Sequence, residues 1–411
     1  MRRKPLFPPP KDSNDCRKRH KGRQKRSVLT ANGRVALLRI RWHSQAEGST
    51  TPIDAVLDTA EATVSLAARE LACRLNQNAS NFDKAAENLA RAAQIRMSGE
   101  TLRRLVEAEG KAVLATSRAG LLDIGWTAAD CRTRDAANPT KGGPTRVYLG
   151  CDGVLVPMVT DTEKTARRKA VRQKRSRCGK KVRPLPPARA GADQRYKEFK
   201  IVAYYNDDQS HRHVMITRGN HQAAGRLMRR EAGRIALNEA QEKIALADGA
   251  VWIGNQIRGQ NLPLDAVGLD FYHLSEHVHK ARRAVFGESD AGKTWAGAAL
   301  HTVKHDGYTP FWESLTQWRT PLRGRRRKAA DELLHYVAKR SETIGYPEFL
   351  RKGWQIGSGP TEAMCKTTTA RLKGSGMRWD GPNAEAVMGL AALEQSDQWK
   401  RYWRSCLQPT G

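Results

Sequence analysis

The chain has 411 residues, with 72 Lys and Arg against 42 Asp and Glu, for a formal net charge of +30. That length predicts two or three domains, and a hydrophobic content of 39% is enough for real cores, which excludes a wholly disordered polycation. So large an excess of cations points to an extended polyanion as partner, with phosphate neutralisation dominating affinity.

A ribosomal role fits the length poorly, and no basic amphipathic helix or lipidation signal favours a membrane surface. The seven cysteines show no CxxC and no zinc-type Cys/His pairing, so they read as unpaired thiols in a reducing compartment. No apolar run reaches membrane-spanning length, and the basic N-terminus has no apolar core behind it. The expected location is the cytoplasm, in association with nucleic acid.

Residues 1–30 are Pro-rich and basic, including Arg17-Lys-Arg-His-Lys-Gly-Arg-Gln-Lys-Arg26, and predict a disordered arm. Such an arm serves either as a non-specific DNA contact or as a flexible tail. A short strand follows over Arg34–Trp42. From about 52 to 118 the period becomes helical, with Ile53, Leu57, Ala60, Val64, Leu66 and Leu71 recurring. One helix turns Phe82, Ala85, Ala86 and Leu89 inward, a turn passes through Ile95, and a second helix is capped by Ser98. Leu102, Leu105 and Val106 face its interior while Arg103 and Arg104 project. This is helix-turn-helix spacing, with the second helix a candidate for the major groove; any helical hairpin in a bundle has the same pattern. Residues 31–130 thus predict a helical DNA-binding domain.

Residues 131–145 read as a linker. Thr145–Asp152 predicts a buried strand, Asp152-Gly153 a hairpin turn and Val154–Val159 the return strand. A Lys/Arg- and Pro-rich insert occupies 161–195. Then come a strand at Phe199–Tyr205, a helix over His221–Glu239, a short strand ending in Asp248, and a strand from Ala266 entering a helix near His273. Residues 275–350 are mainly helical. Late in the chain, Gly357 and Gly359 loosen the backbone before a helix in which Pro360 suits the first position and Glu362 lies in the first turn. Lys366, Arg371, Lys373 and Arg378 follow it.

Three strands, a helix, further strands and a late helix make a ribonuclease-H-like α/β order. In it, residues 145–274 and 351–405 form a mixed-sheet core and 275–350 an all-helical insertion. Acids at particular strand ends converge in that arrangement. Asp152 closes the first strand, Asp248 a later one, and Glu362 sits on the late helix. Two Mg²⁺ ions want hard oxygen ligands, and a metal pair stabilises both the attacking and the leaving oxygen of an in-line displacement. Each acid also has a plain structural reading. Asp-Gly is turn chemistry, and an acid in a first helical turn complements the dipole by roughly 0.3–1 kcal/mol. Asp270 and His273 stand one helical turn apart, as a local or DNA-positioning pair or as ligands; imidazole suits Mg²⁺ less than carboxylate does.

Together, Gly150-Cys-Asp-Gly153, Ala247-Asp-Gly-Ala-Val-Trp-Ile253, Leu269-Asp-Phe-Tyr-His-Leu274 and Gly357-Ser-Gly-Pro-Thr-Glu362, with Gly376-Met-Arg-Trp379, resemble bacterial insertion-sequence transposases of the ISKra type. These are DDE transposases related to the Mutator group, and the resemblance spans about residues 52–405. It implies a ribonuclease-H-like core with a helical insertion before the final Glu, an N-terminal DNA-binding region, and Mg²⁺-dependent cleavage and joining at element ends. By position, Asp152 matches the first acid, Asp248 the second and Glu362 the third. Asp270 and His273 match the C/D-x-x-H motif between the last two acids, which favours Asp248 over Asp270 as ligand. The basic insert 161–195 departs from the family's pattern.

The resulting expectation is a transposase acting on duplex DNA with terminal inverted repeats and on target DNA, as a homo-oligomer. Asp152, Asp248 and Glu362 would hold two Mg²⁺ ions, with Mn²⁺ able to substitute. Arg103, Arg104, Lys366, Arg371, Lys373 and Arg378 would contact DNA, and Trp379 would stack on unpaired bases; Trp312 and Trp318 either stack likewise or pack inside the insertion. A catalytically inert DNA-binding repressor, and a nuclease that cuts without joining, remain alternatives.

Overall fold

A computed structural model describes residues 8–55, 63–134, 142–182, 184 and 194–406. Residues 1–7 of the arm, Leu57 and Ala60, residues 135–141 of the linker, and residues 183 and 185–193 of the basic insert lie outside the described residues.

The chain opens with an antiparallel ribbon of β1 (Arg19–Thr30) and β2 (Gly33–Ser44), with β3 (Gly48–Thr50) on the far edge of β2. Gly33 turns the ribbon at a φ of +96°, which a side chain would resist. Residues 19–30 are therefore strand and not a disordered arm. Buried Val28, Leu29 and Trp42 hold the ribbon, and the buried Arg39 guanidinium meets Asp54 at 2.5 Å. These contacts outweigh the repulsion that the charge run suggested. Three helices follow: α1 (Leu66–Gln77), α2 (Phe82–Ala93) and α3 (Gly99–Arg118). The Ser98 side chain accepts from Thr101 N at 3.2 Å, the cap its position predicts.

Next come β4 (Arg132–Arg134), β5 (Gly142–Pro157), α4 (Asp161–Arg177), β6 (Tyr196–Tyr205), β7 (Arg212–Thr217), α5 (His221–Arg234), β8 (Glu242–Ala247), α6 (Val251–Gly259) and β9 (Ala266–Leu269). They build a six-stranded mixed sheet in the order β7-β6-β5-β8-β9, with β4 on β5. β5 and β8 are parallel, as are β8 and β9, while β6 and β7 are antiparallel. No hairpin forms at Asp152-Gly153. β5 runs straight through both, and Gly153 faces Glu198 of β6 where a Cβ would collide with the carboxylate. Close strand approach, not turn geometry, is what this glycine serves. The basic insert begins as a helix, α4, started by a reciprocal Thr160–Glu163 capping box.

The helical stretch predicted over 275–350 comprises α7 (Phe271–Phe286), α8 (Asp290–His305), α9 (Tyr308–Arg319), α10 (Gly324–Ala338) and α11 (Tyr346–Arg351). Leu274, Val278, Phe311, Leu315, Leu333 and Val337 form its core, against which Trp312 and Trp318 pack. Trp295 stacks on Trp318 at 4.1 Å. The chain ends with α12 (Gly359–Ala370), α13 (Gly381–Gln395) and α14 (Trp399–Ser405). No helix among the described residues is long and apolar enough to cross a membrane.

By their contacts the elements form two compact units: residues 1–123, 156–195 and 369–411 in one, and 124–155 with 196–368 in the other. Residues 369–405, expected to belong with the sheet, thus join the N-terminal helices. α13 explains why. It is buried from Ala384 to Leu393, so it needs neighbours on every side, and α3 supplies one of them. Gly110 of α3 lies where a Cβ would strike the Ala386 carbonyl, and Arg118 pairs with the buried Glu385 at 2.7 Å. Gly110→Val should destabilise this unit by about 1–3 kcal/mol through overpacking. Urea denaturation monitored by tryptophan fluorescence measures this; an unchanged midpoint would remove the close crossing of α3 and α13.

Candidate metal centre

The site is built on strand register. β5 pairs with β8 so that Gly150 lies beside Leu246, and β8 pairs with β9 so that Ala247 lies beside Leu269. Continued by two residues and by one, these ladders set Asp152 level with Asp248, and Asp248 level with Asp270. Adjacent strands are spaced by roughly 4.8 Å, so the acids form one row, with Asp248 and Asp270 just beyond the ends of β8 and β9 and Asp152 within β5, just past the stretch paired with β8. Gly150, two residues before Asp152, shares its face of the sheet. A Cβ on Gly150 would collide with Thr361 Oγ1, so the missing side chain is what lets α12 lie against β5. Glu362 is the next residue after Thr361.

The loop leading into α12 is pinned repeatedly. Arg146 donates to Gly353 O at 2.7 Å and Tyr148 Oη accepts from Gln355 N at 3.0 Å. Phe271 N donates to Ile356 O at 2.9 Å. Asp270, with 0% of its surface exposed, completes the latch. Its Oδ1 accepts from His273 N at 2.7 Å, capping α7, and its Oδ2 accepts from Ser358 Oγ at 2.6 Å and from Ser358 N. Asp248 turns its Oδ1 onto Ala250 N at 2.8 Å, and Gly249 between them takes a φ of +82°. Arg340, from the end of α10, holds that turn by donating to Gly249 O at 2.8 and 3.1 Å.

His273 Nδ1 stands 3.5 Å from Asp270 Oδ1 and 4.0 Å from Glu362 Oε1. Donor atoms of Asp270, His273 and Glu362 all lie within 4.8 Å of one another, a clustered Asp/His/Glu triad compatible with a divalent metal ion. The hydrogen bond to Asp270 raises His273 to about 9, against the opposing effect of burial. Burial pushes Asp270 the other way, yet the bonds from His273 and Ser358 hold its carboxyl well below the usual range. At neutral pH Asp270 and His273 therefore form an ion pair, with Glu362 Oε1 4.0 Å from the imidazolium. Burial first, and then the like charges of Asp248 and Glu362, raise the Asp152 carboxyl; Gly153 N–H and His273 oppose them.

Of the acids around that cluster, Asp152, Asp248 and Glu362 are partly exposed, and the charges of Asp248 and Glu362 act on Asp152; hard-oxygen donors of this kind suit a divalent cation. Asp270 is enclosed and its oxygens are already bonded, so it acts on α12 by position.

The remaining expected residues lie elsewhere. Arg103 is ion-paired with Glu100 and Glu107, each at 2.8 Å, and Arg104 with Glu100 at 2.8 Å. Arg371 is buried: its guanidinium lies over Phe82 at 4.6 Å and bonds Asn76 Oδ1 at 3.3 Å, and burial lowers it to about 10. Trp379, also buried, donates to Leu372 O at 3.1 Å, so its ring offers no open face for stacking. Arg378 pairs with Glu163. Lys366 and Lys373 are exposed. Sequence reasoning gave no role to Gly150, Thr361, Ser358, Arg146 or Arg340. Gly150, Ser358 and Thr361 lay inside the family-like motifs; Arg340 meets its partner 91 residues away and has no local signal.

No family model matches the chain, and no curated protein matches it. Among solved structures, the Drosophila P element transposase strand transfer complex aligns over 82% of this chain and 80% of that one, at 10% identity and a TM-score of 0.29. That likeness is too slight to carry an argument.

The raised His273 has a stability consequence. Stability gained by charging it is fully present below its unfolded value of 6.5 and is lost as pH rises through about 9. The thermal midpoint should fall between pH 7 and 9.5, and fall less in His273→Gln. Equal declines in both proteins would remove the Asp270–His273–Glu362 ion pairing.

Proposed function

We propose that the protein is a DNA transposase of the DDE type, with a ribonuclease-H-like core that cleaves and joins DNA strands at terminal repeats. The observation that carries the proposal is the charge coupling at Asp152, whose carboxyl is raised by burial and then by the like charges of Asp248 and Glu362. The ladder of β5 with β8 levels Asp152 with Asp248, and the Gly150 gap seats the helix that carries Glu362. The strand order supports it as well. Taken in chain order from β5, the five strands β5, β6, β7, β8 and β9 stand as third-second-first-fourth-fifth across the sheet, with a late helix bringing in the final acid.

In this reading Asp152, Asp248 and Glu362 hold two Mg²⁺ ions, for which Mn²⁺ substitutes. When bound, the ions supply activation of the attacking oxygen and stabilisation of charge around phosphorus. Protonated His273 keeps Glu362 and Asp270 apart as charges and adds a cation near the reacting phosphate. Asp270 and Ser358 fix the entry to α12, which sets the position of Glu362. Pairing two element ends calls for more than one subunit, so a homo-oligomer on DNA is part of the proposal.

Glu362→Ala and Asp152→Ala should each abolish Mg²⁺-dependent nicking of a terminal-repeat duplex, a loss on the order of a thousandfold or more, and leave DNA binding within a few-fold. Retained nicking in either variant would remove that residue from the site. Gly150→Val should lower cleavage comparably by displacing α12; wild-type rates in that variant would refute the packing argument. A strand-transfer assay on the wild type separates a transposase from a nuclease that only cuts.

A further inference from the structure

α4 is a 17-residue helix with no buried residue. From Ala166 to Arg177 every position is exposed. Its first turn is anchored, by the Thr160–Glu163 box, by Lys164 to Asp380 at 2.6 Å, and by Glu163 to Arg378. Beyond that turn its side chains stay open to water, with Val182 bordering a shallow cavity against Lys169, Arg172, Gln173 and Ser176. A helix that is polar all round and standing clear persists only through favourable side-chain pairs or an external partner. Past the first turn, where Asp161 pairs with Lys164, the internal pairs oppose it. Lys164–Arg168, Arg168–Arg172, Lys169–Arg172, Arg172–Arg175 and Lys174–Arg177 bring like charges together at spacings of three and four.

The partner must therefore be a polyanion, and its shape can be read from the helix. At 3.6 residues per turn, Lys164, Arg167, Arg168, Arg172, Lys174 and Arg175 share one half of the circumference. The other half carries mostly small and polar residues, among them Thr165, Ala166, Ala170, Gln173 and Ser176, with Lys169 and Arg177 between them. A lipid surface needs an apolar face, and Val171 is the one large apolar residue on α4. A helix with its side chains is about 10–12 Å across, which matches the major groove of B-DNA at roughly 12 Å. The major groove of A-form RNA is too narrow for side chains to read.

We propose that α4 is a duplex-DNA grip that enters the major groove with its basic half inward and is held helical by the phosphates flanking the groove. Arg167 also borders a cavity of about 750 Å³ at the anchored end of the helix, lined by Arg103 and Arg378 together with Glu107 and Asp380. The proposal adds a DNA contact to the transposase reading and rests on it only for the choice of DNA as substrate.

The test is hydrogen exchange of the full-length protein with and without a 30-base-pair duplex, of the order of three helical turns. Amides of residues 166–177 should exchange fast in the free protein and at least tenfold more slowly with DNA. Equal slowing by an RNA duplex or by phosphatidylserine vesicles, or no slowing at all, overturns the proposal. The variant R167Q/R168Q/R172Q/K174Q/R175Q touches only exposed side chains. It should reduce the slope of log affinity against log salt by about 4.5, at ~0.9 for each of five phosphates no longer neutralised; an unchanged slope is equally decisive against α4. Protection of α4 without Mg²⁺-dependent cleavage would sink the catalytic reading alone, and cleavage without protection would sink this one alone.

Discussion

The parallel pairing of β5 with β8, and of β8 with β9, decides where the chemistry stands. Side chains alternate along a strand, so a slip of one residue in either ladder would turn an acid to the opposite face. Burial on both sides fixes the register. Val147, Leu149 and Cys151 on β5 pack in one core with Ala245 and Ala247 on β8 and with residues of α5 and α6. The site is thus specified by apolar residues that never touch it. Glu362 arrives by a separate route, on a helix whose approach depends on the lack of a side chain at Gly150.

Asp270 illustrates how one carboxylate serves the others. A buried charge is costly unless its lone pairs are satisfied, and Asp270 accepts from His273 N, Ser358 N and Ser358 Oγ. Its own N–H donates to Ala247 O at 2.8 Å, just before Asp248. The end of β8, the start of α7 and the start of α12 therefore share one anchor. Of the two acids that sequence left in competition, Asp248 is partly exposed and Asp270 is enclosed, and Asp270 is the one that latches the entry to α12.

What was legible in the sequence was what depends on local pattern. The apolar runs before Asp152, Asp248 and Asp270 announced strands, and Gly-Pro-Thr-Glu362 announced a helix start. Reading failed where distant contacts overrule local chemistry. Asp152-Gly153 has the composition of a turn, but β5 has sheet neighbours on both sides and continues through it. The charge run before residue 30 looked disordered because the pairing with β2 and the burial of Val28 and Leu29 do not show in a window of ten residues. Arg371 resembled a phosphate contact because its companions Phe82 and Asn76 lie some three hundred positions earlier.

That last case bears on how a net charge of +30 should be read. Cations near one another in sequence are not equivalent in space. Arg146, 6% exposed, is consumed by Glu242 at 2.6 Å and by two carbonyls; Arg282 by Glu288 at 3.0 Å; Arg103 by two glutamates. Each stabilises the fold and adds little to the field felt outside. Arg168, Arg172 and Arg175 on α4 face water, so their charge is available at long range. An extended polyanion is drawn first to cations that have not already been neutralised. The physical weight of the positive charge therefore rests less on the helices of the bundle, where helix-turn-helix spacing first placed it, than on a helix with no core of its own.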